Sequence, residues 1–265
     1  MKEKLKILDS LEVLSFQNKK TKHPSHFHDT YCISLIEKGV LVENELIAST
    51  GKILISNPYE IHNNLSSENI SFSTFYVNQD VIDFISPFNR TSFQDKVIEN
   101  PLLHSSLKNL LNFIKEKKEK KNFVNDFYDD FNQFIFQLTI NYGAANPYNN
   151  ENDTTIIKDL KIYISDNLNT QLSLIELSKM VGMSKFQFIR WFKFNIGLTP
   201  FEYILLKKVE YGKTLIKQGI PLVEAALDSG FYDQSNFSNY FKKYIGMSPN
   251  SYKQSCNIFQ DSNQQ

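Results

Sequence analysis

Two regions of this 265-residue chain carry side chains whose types and spacing could do chemistry. In the C-terminal part, Phe186, Ile189, Arg190 and Lys193 recur at i, i+3, i+4 and i+7, the spacing of one helical face. Ser235, Ser238, Asn239 and Lys242 repeat that spacing further on. Such a face suits the major groove of DNA. An arginine fork matches O6 and N7 of guanine, an asparagine amide matches N6 and N7 of adenine, and an apolar side chain such as Phe186 can meet a thymine methyl. Lys193 and Lys242, a turn beyond, suit phosphates. The chain has only two arginines, Arg90 and Arg190, and one stands on this face. Near the other end, His26, His28 and His62 offer imidazoles, which can bind a divalent metal as a three-histidine site. The bland alternative is that they cap strands or line a pocket without metal. No glycine-rich phosphate loop, nucleophile triad or paired-carboxylate motif accompanies either set.

The elements that must position the C-terminal set repeat themselves. Leu174, Glu176 and Gly182 recur as Leu222, Glu224 and Gly230, each 48 residues later. After a one-residue insertion, Phe192, Gly197, Pro200 and Tyr203 recur as Phe241, Gly246, Pro249 and Tyr252, each 49 later. The unit is a short helix, a glycine turn and a second helix ended by glycine, which is a helix-turn-helix. Its boundaries have their own chemistry. Ser173 with Glu176 and Thr199 with Glu202 read as capping boxes, the latter followed by Pro200 at the first helical position. Gly182 and Gly230 can take the left-handed conformation that stops a helix. Ser184 and Asp233 then cap the next helices. Phe188, Trp191 and Phe192 in the first unit, and Phe237, Tyr240 and Phe241 in the second, point inward. An inert bundle with polar residues merely exposed would explain one amphipathic helix, but not two copies with equivalent turns or an apolar Phe186 on the free face. The candidate DNA contacts are therefore Ser184, Lys185, Phe186, Gln187, Ile189, Arg190 and Lys193 in the first unit. Gln234, Ser235, Asn236, Ser238, Asn239, Lys242 and Lys243 are their counterparts in the second.

These segments, SLIELSKMVGMSKFQFIRWFKFNIGLTPFEYI and GFYDQSNFSNYFKKYIGMSPNSYK, resemble the signature of AraC/XylS-type transcription regulators over Ile156 to Lys253. The resemblance implies seven helices, with a long one from Pro200 to Lys217 joining the two units across about 27 Å. It implies recognition helices in successive major grooves of double-stranded promoter DNA, a homodimer, RNA polymerase as a further partner, a small-molecule effector, and activation as the commoner mode. Two positions depart from the family. Gly212 stands where alanine is usual, at about 1 kcal/mol of helix propensity. Asn239 stands where arginine is frequent, which implies a different base.

The N-terminal residues read differently. Leu11–Phe16, Tyr31–Glu37, Val40–Ile47, Lys52–Ser56 and Ile70–Val77 are short and rich in β-branched and aromatic residues, as strands of a small barrel or sandwich are. Leu103, Leu107, Leu110, Leu111 and Ile114 then fall at helical spacing, as do Phe123, Phe127, Phe131, Phe134, Ile135 and Leu138. Val124, Tyr128 and Phe136 widen the second helix's apolar surface beyond one stripe, which predicts a second face buried against another subunit. The lysine-rich stretch 115–121 between the helices reads as a solvated helix end and loop. HPSHFHDTYCISLIEKG and GKILISNPYEIHNN resemble the half-motifs of cupin barrels. Enzymatic cupins add a glutamate shortly after the paired histidines. Here Cys32 and Ile33 occupy that neighbourhood and Glu37 comes too late. The expectation is an effector site formed by His26, His28, Tyr31 and His62, with no metal, cofactor or catalytic residue.

Residues 143–153 lack apolar periodicity and are dense in Asn, Gly and Pro, as a linker is. They also mark a change of charge: residues 1–153 hold 16 Lys+Arg against 20 Asp+Glu, and residues 154–265 hold 13 against 9. The chain thus reads as a two-domain α+β protein. Residues 1–142 form a cupin-like β-barrel with a helical dimerisation pair, 154–256 an all-α domain with two helix-turn-helix units, and 257–265 a tail. No apolar stretch is long enough to cross a bilayer and the N-terminus shows no secretory signal. Two distant cysteines, Cys32 and Cys256, fit a reducing cytoplasm. The alternatives to a promoter-binding regulator are a cupin enzyme fused to a DNA-binding module and a nucleoid protein without sequence preference.

Overall fold

A computed structural model describes residues 11–88, 90–115, 123–145, 155–170 and 172–256. Residues 116–121, most of the expected linker and the 257–265 tail lie outside them. The described chain divides into two compact units, one of residues 11–22 and 27–145 and the other of residues 23–26 and 155–256.

The N-terminal unit is built on two antiparallel sheets. The first has the order β1-β8-β3-β6-β10, from Leu11–Lys19, Ile70–Asn78, Thr30–Lys38, Ile53–Ser56 and Val97–Ile98. The second has the order β2-β7-β4-β5, from Lys22–His26, His62–Leu65, Val40–Glu43 and Leu46–Ser49. In this sheet β2 is hydrogen-bonded beside β7. Val40–Ile47, read as one strand, is a hairpin. Asn44 and Glu45 both have positive φ, 46° and 76°, as a two-residue hairpin turn requires.

Register explains how the first sheet divides its faces. Leu11, Tyr31 and Val77 lie opposite one another, as do Val13, Ile33 and Phe75. That face packs under the helices α1 (Gln79–Ile85), α2 (Pro101–Lys115) and α3 (Phe123–Tyr142), with Leu107, Phe127, Phe131, Ile135 and Leu138 in one buried cluster. The alternate residues, Glu12, Cys32 and Tyr76 in one row and Leu14, Ser34 and Thr74 in the next, form the other face. It looks toward the second sheet, since Ser56 of β6 donates to Glu43 of β4 at 2.7 Å. Three of the residues assigned to the linker also belong here. Gly143–Ala145 form β11, paired with β9 (Thr91–Phe93), so the connection begins after Ala145.

The C-terminal unit has seven helices among its described residues, as expected: α4 (Thr155–Asp166), α5 (Leu174–Met180), α6 (Lys185–Ile196), α7 (Pro200–Lys217), α8 (Leu222–Asp228), α9 (Gln234–Ile245) and α10 (Pro249–Cys256). The repeat is carried into three dimensions. Phe188 and Phe192 pack edge-on at 5.6 Å and Phe192 meets Tyr203 at 5.5 Å. Phe237, Phe241 and Tyr252 do the same at 5.3 and 5.4 Å. Gly212 has a reason that propensity alone does not supply. A Cβ there would lie 2.5 Å from the ring of Phe237, which is fully buried, so the missing methyl admits α9 onto α7.

Candidate functional site

Each recognition helix is locked at both ends. Ser184 caps α6 and exchanges hydrogen bonds with Gln187 in a reciprocal box, and Gly197 closes the helix at φ 81°. Asp233 caps α9 by accepting from the Asn236 amide at 2.7 Å, and Gly246 closes it at φ 82°. Thr199 and Glu202 make the expected box at the start of α7. The amide and hydroxyl of Thr199 donate to Glu202, and the backbone bond chiefly holds its carboxyl below the usual range. Ser173 caps α5 through the amide of Ile175 only, so the box expected with Glu176 is a simple cap. Gln187 carries the reciprocal partner instead.

With the ends fixed, the free faces are those the spacing predicts. Phe186 is 76% exposed, Arg190 and Lys193 are exposed, and Ile189 is half-buried. On α9, Ser235, Asn239 and Lys242 are exposed and Ser238 is half-buried. Lys185, Gln234, Asn236 and Lys243 flank these faces, all exposed. Ser184 and Gln187 are exposed too, but their polar atoms already serve the cap. Each helix therefore offers a donor-bearing side chain at its centre and a lysine one turn on, which is what base readout with phosphate anchoring needs.

In the N-terminal unit the structure separates Tyr31 from the histidines. Its ring is buried in the helix-facing core, edge-on to Phe93 at 5.9 Å, and its hydroxyl donates to the Thr91 carbonyl. Burial pushes its phenol well above the usual range. His26, His28 and His62 come together, with one ring nitrogen of each lying within 4.8 Å of the others. All are buried, and the ring of His28 stands 5.4 Å from that of His62 and 5.1 Å from Tyr76. Glu43 is a polar residue the sequence reading missed. Burial pushes its carboxyl up to about 7, against the lowering effect of the Ser56 hydroxyl bond. The signal available was an acid alternating with Leu41 in a strand whose other face is open.

Known proteins fit this geometry. Residues 177–255 match a helix-turn-helix domain, and residues 10–126 match an AraC-like ligand binding domain. YbfI of Bacillus subtilis, an HTH-type transcriptional regulator, is 26% identical over 85% of each chain. The HTH-type transcriptional activator AarP of Providencia stuartii is 30% identical over 41% of this chain and 81% of its own. A crystal structure of an apo ToxT variant from Vibrio cholerae shares the fold, at TM-score 0.60 and 15% identity over 93% of this chain and 98% of that one. The two domains and their helix-turn-helix faces define a DNA-binding transcription regulator. The chain belongs to the AraC family of such regulators, whose members are regulators rather than enzymes.

Proposed function

We propose that this regulator binds promoter DNA as a homodimer and activates transcription with RNA polymerase, in response to an effector held in its N-terminal domain. The observation that carries the DNA reading is the pair of equivalent exposed faces bearing Arg190 and Asn239 on rigidly capped helices. Residues 154–256 would do the binding and residues 1–142, extended by β11, the sensing. The connection would be 146–153. No helix among the described residues is long and apolar enough to cross a membrane. The partner is chromosomal DNA, and a cytoplasmic location goes with it.

The effector reading is supported by two sets of buried polar groups, the histidines His26, His28 and His62, which come together, and Glu43, which accepts from Ser56. ToxT of Vibrio cholerae, similar at TM-score 0.56, has been crystallised bound to an unsaturated fatty acid. A small molecule is thus a sensible ligand class here, with the histidines and not Tyr31 as its contacts. The whole reading is tested by selecting bound sites from random duplex at fixed salt. The selected site should bind at least about 10³-fold more tightly than random duplex. Equal affinity for both would leave a nucleoid-type protein and overturn the proposal.

The dimer reading rests on α3. Phe131 lies in the core at 1% exposure, so it is not part of an outer surface, and Tyr128 is half-buried against the same core. The Val124 side chain is outside the described residues. Phe136 and Ile140, one turn apart, are 40% and 49% exposed and form the apolar face that a second subunit would cover. The wild-type chain should sediment as a dimer at micromolar concentration, and the double variant Phe136→Glu, Ile140→Lys as a monomer. A variant that remains dimeric would exclude this face.

A further inference from the structure

We propose that Lys208 is a positioning residue for DNA recognition, which anchors the turn of the second helix-turn-helix to α7 and so fixes where α9 presents its reading face. This rests on α9 being a base-reading helix.

The two reading helices are not held in the same way. α6 ends at Ile196 and α7 begins at Pro200, so the chain itself fixes α6 against α7. Phe192 on Tyr203 closes the same junction. α9 begins only at Gln234, after α7 has ended at Lys217 and the chain has passed through α8. Its placement on α7 therefore depends on side-chain contacts. Gly212 supplies an apolar one, by admitting the Phe237 ring. Apolar packing sets a separation, but it is non-directional. A hydrogen bond adds direction.

Lys208 supplies that bond. It stands four residues before Gly212 on α7, on the same face of the helix. Its Nζ donates to the Gly230 carbonyl at 2.7 Å. Gly230 makes the turn between α8 and α9 at φ 81°, three residues before Asp233, the cap of α9. Leu168 closes in on the same glycine, since a Cβ there would lie 2.1 Å from its backbone oxygen. Ser229, fully buried in the turn, donates to the Ala225 carbonyl at 2.5 Å and ties it back to α8. The Lys208 ammonium is half-buried, and burial lowers its pKa. The bond to Gly230 thus offsets the desolvation of a charge, and a charged donor makes the stronger bond. At Gly182, the equivalent turn of the first unit, a Cβ would meet nothing within 4 Å, so that turn lies open.

Base readout is where a loosened α9 would fail first. An amide-to-base pair needs both hydrogen bonds within about 2.7–3.2 Å, so a shift on the order of 1 Å loses it. A lysine holding phosphate does so on a flexible stem and tolerates such a shift. Loss of the Lys208 bond should therefore cost sequence preference more than total affinity.

The test uses the full chain in two arms. In the first, without DNA, spin labels stand at Lys193→Cys and Lys242→Cys, both exposed, with Cys256→Ser and with Cys32 left buried. Pulsed dipolar spectroscopy should give one narrow distance between α6 and α9 with Lys208 present. Lys208→Met should broaden or shift it, and Lys208→Arg, which keeps a charged donor, should restore it. In the second arm, sites are selected from random duplex by the unlabelled proteins. Lys208→Met should lower base preference in the half read by α9 by at least about 5-fold, the lower end for a bidentate contact. The other half and the salt dependence should not change, and Lys208→Arg should again restore the preference. Asn239→Ala assigns the half that α9 reads. If that variant alters neither half, the base-reading role of α9 fails, and the distance arm still decides the role of Lys208. If Lys208→Met does not fold, as Trp191 emission would report, Lys208→Gln takes its place in both arms. Failure of both to fold would make Lys208 a requirement of the fold and overturn the proposal. So would an unchanged distance in a folded variant, or a salt dependence flattened by about one unit, the mark of a phosphate contact.

Discussion

Gly230→Ala is expected to destabilise the DNA-binding domain by about 3 kcal/mol, while Gly182→Ala, at the equivalent place in the first unit, costs about 1 kcal/mol. Both glycines end the first helix of their unit in the left-handed region, at φ 81° and 67°. A side chain in that conformation costs roughly 1–2 kcal/mol wherever it stands. The two positions differ in what surrounds them. A Cβ on Gly182 meets nothing within 4 Å. A Cβ on Gly230 would lie 2.1 Å from the backbone oxygen of Leu168 and 2.9 Å from Nζ of Lys208. The first of these is main chain and cannot rotate aside. The second is the ammonium that donates to the Gly230 carbonyl at 2.7 Å, and burial already lowers its pKa. Alanine would therefore force apart the turn between α8 and α9 and the chain after α4, adding a further cost of overpacking on the order of 1–3 kcal/mol. Trp191, the only tryptophan, lies in this domain, so its fluorescence in urea follows the unfolding of both variants. Midpoints shifted equally would mean that the turn at Gly230 adjusts freely and that its close contact is not a constraint.

That asymmetry was invisible in the sequence, where the two glycines look alike, and it marks where reading residues along the chain stops being informative. The C-terminal domain was legible because its signals are local. A cap and its partner lie three residues apart, a helical face recurs within seven, and each signal occurs twice. Even there, the cap at Ser173 involves Ile175 alone, because a Glu three residues on permits a box without compelling it. The N-terminal domain depends on pairings between residues far apart. β2 and β7, with sequences KHPSH and HNNL, have little strand propensity and exist because neighbouring strands accept them. Gly143–Ala145 read as linker for the same reason: only Thr91–Phe93 opposite makes them a strand. Tyr31 seemed a natural companion to His28, three residues away, yet strand alternation turns it to the other face of the sheet. The histidines themselves were legible by type, and their convergence required the fold.

The same repeat makes the sharpest test of DNA recognition. Arg190 and Asn239 occupy equivalent exposed places on α6 and α9, each helix held by a cap at one end and a left-handed glycine at the other. Their chemistry differs. The arginine fork matches guanine, and the asparagine amide matches adenine. One half of the site is expected to be read through a G·C pair, and the other, about one helical turn away, through an A·T pair. Arg190→Ala should cost about 1–3 kcal/mol and relax base preference at a single position. Asn239→Ala should cost less and act on the other half, since a neutral side chain adds no attraction to phosphate. Lys193→Ala should weaken binding to all sequences alike and flatten the salt dependence by about one unit. Because all three side chains point into solvent, none of the variants should move the Trp191 unfolding midpoint, which separates lost contacts from lost structure. Site selection with wild type and the three variants, with affinities at several salt concentrations, reads every arm. If Arg190→Ala leaves the selected sequence unchanged and behaves like Lys193→Ala, Arg190 touches only phosphate, and guanine must be read from another residue of the face.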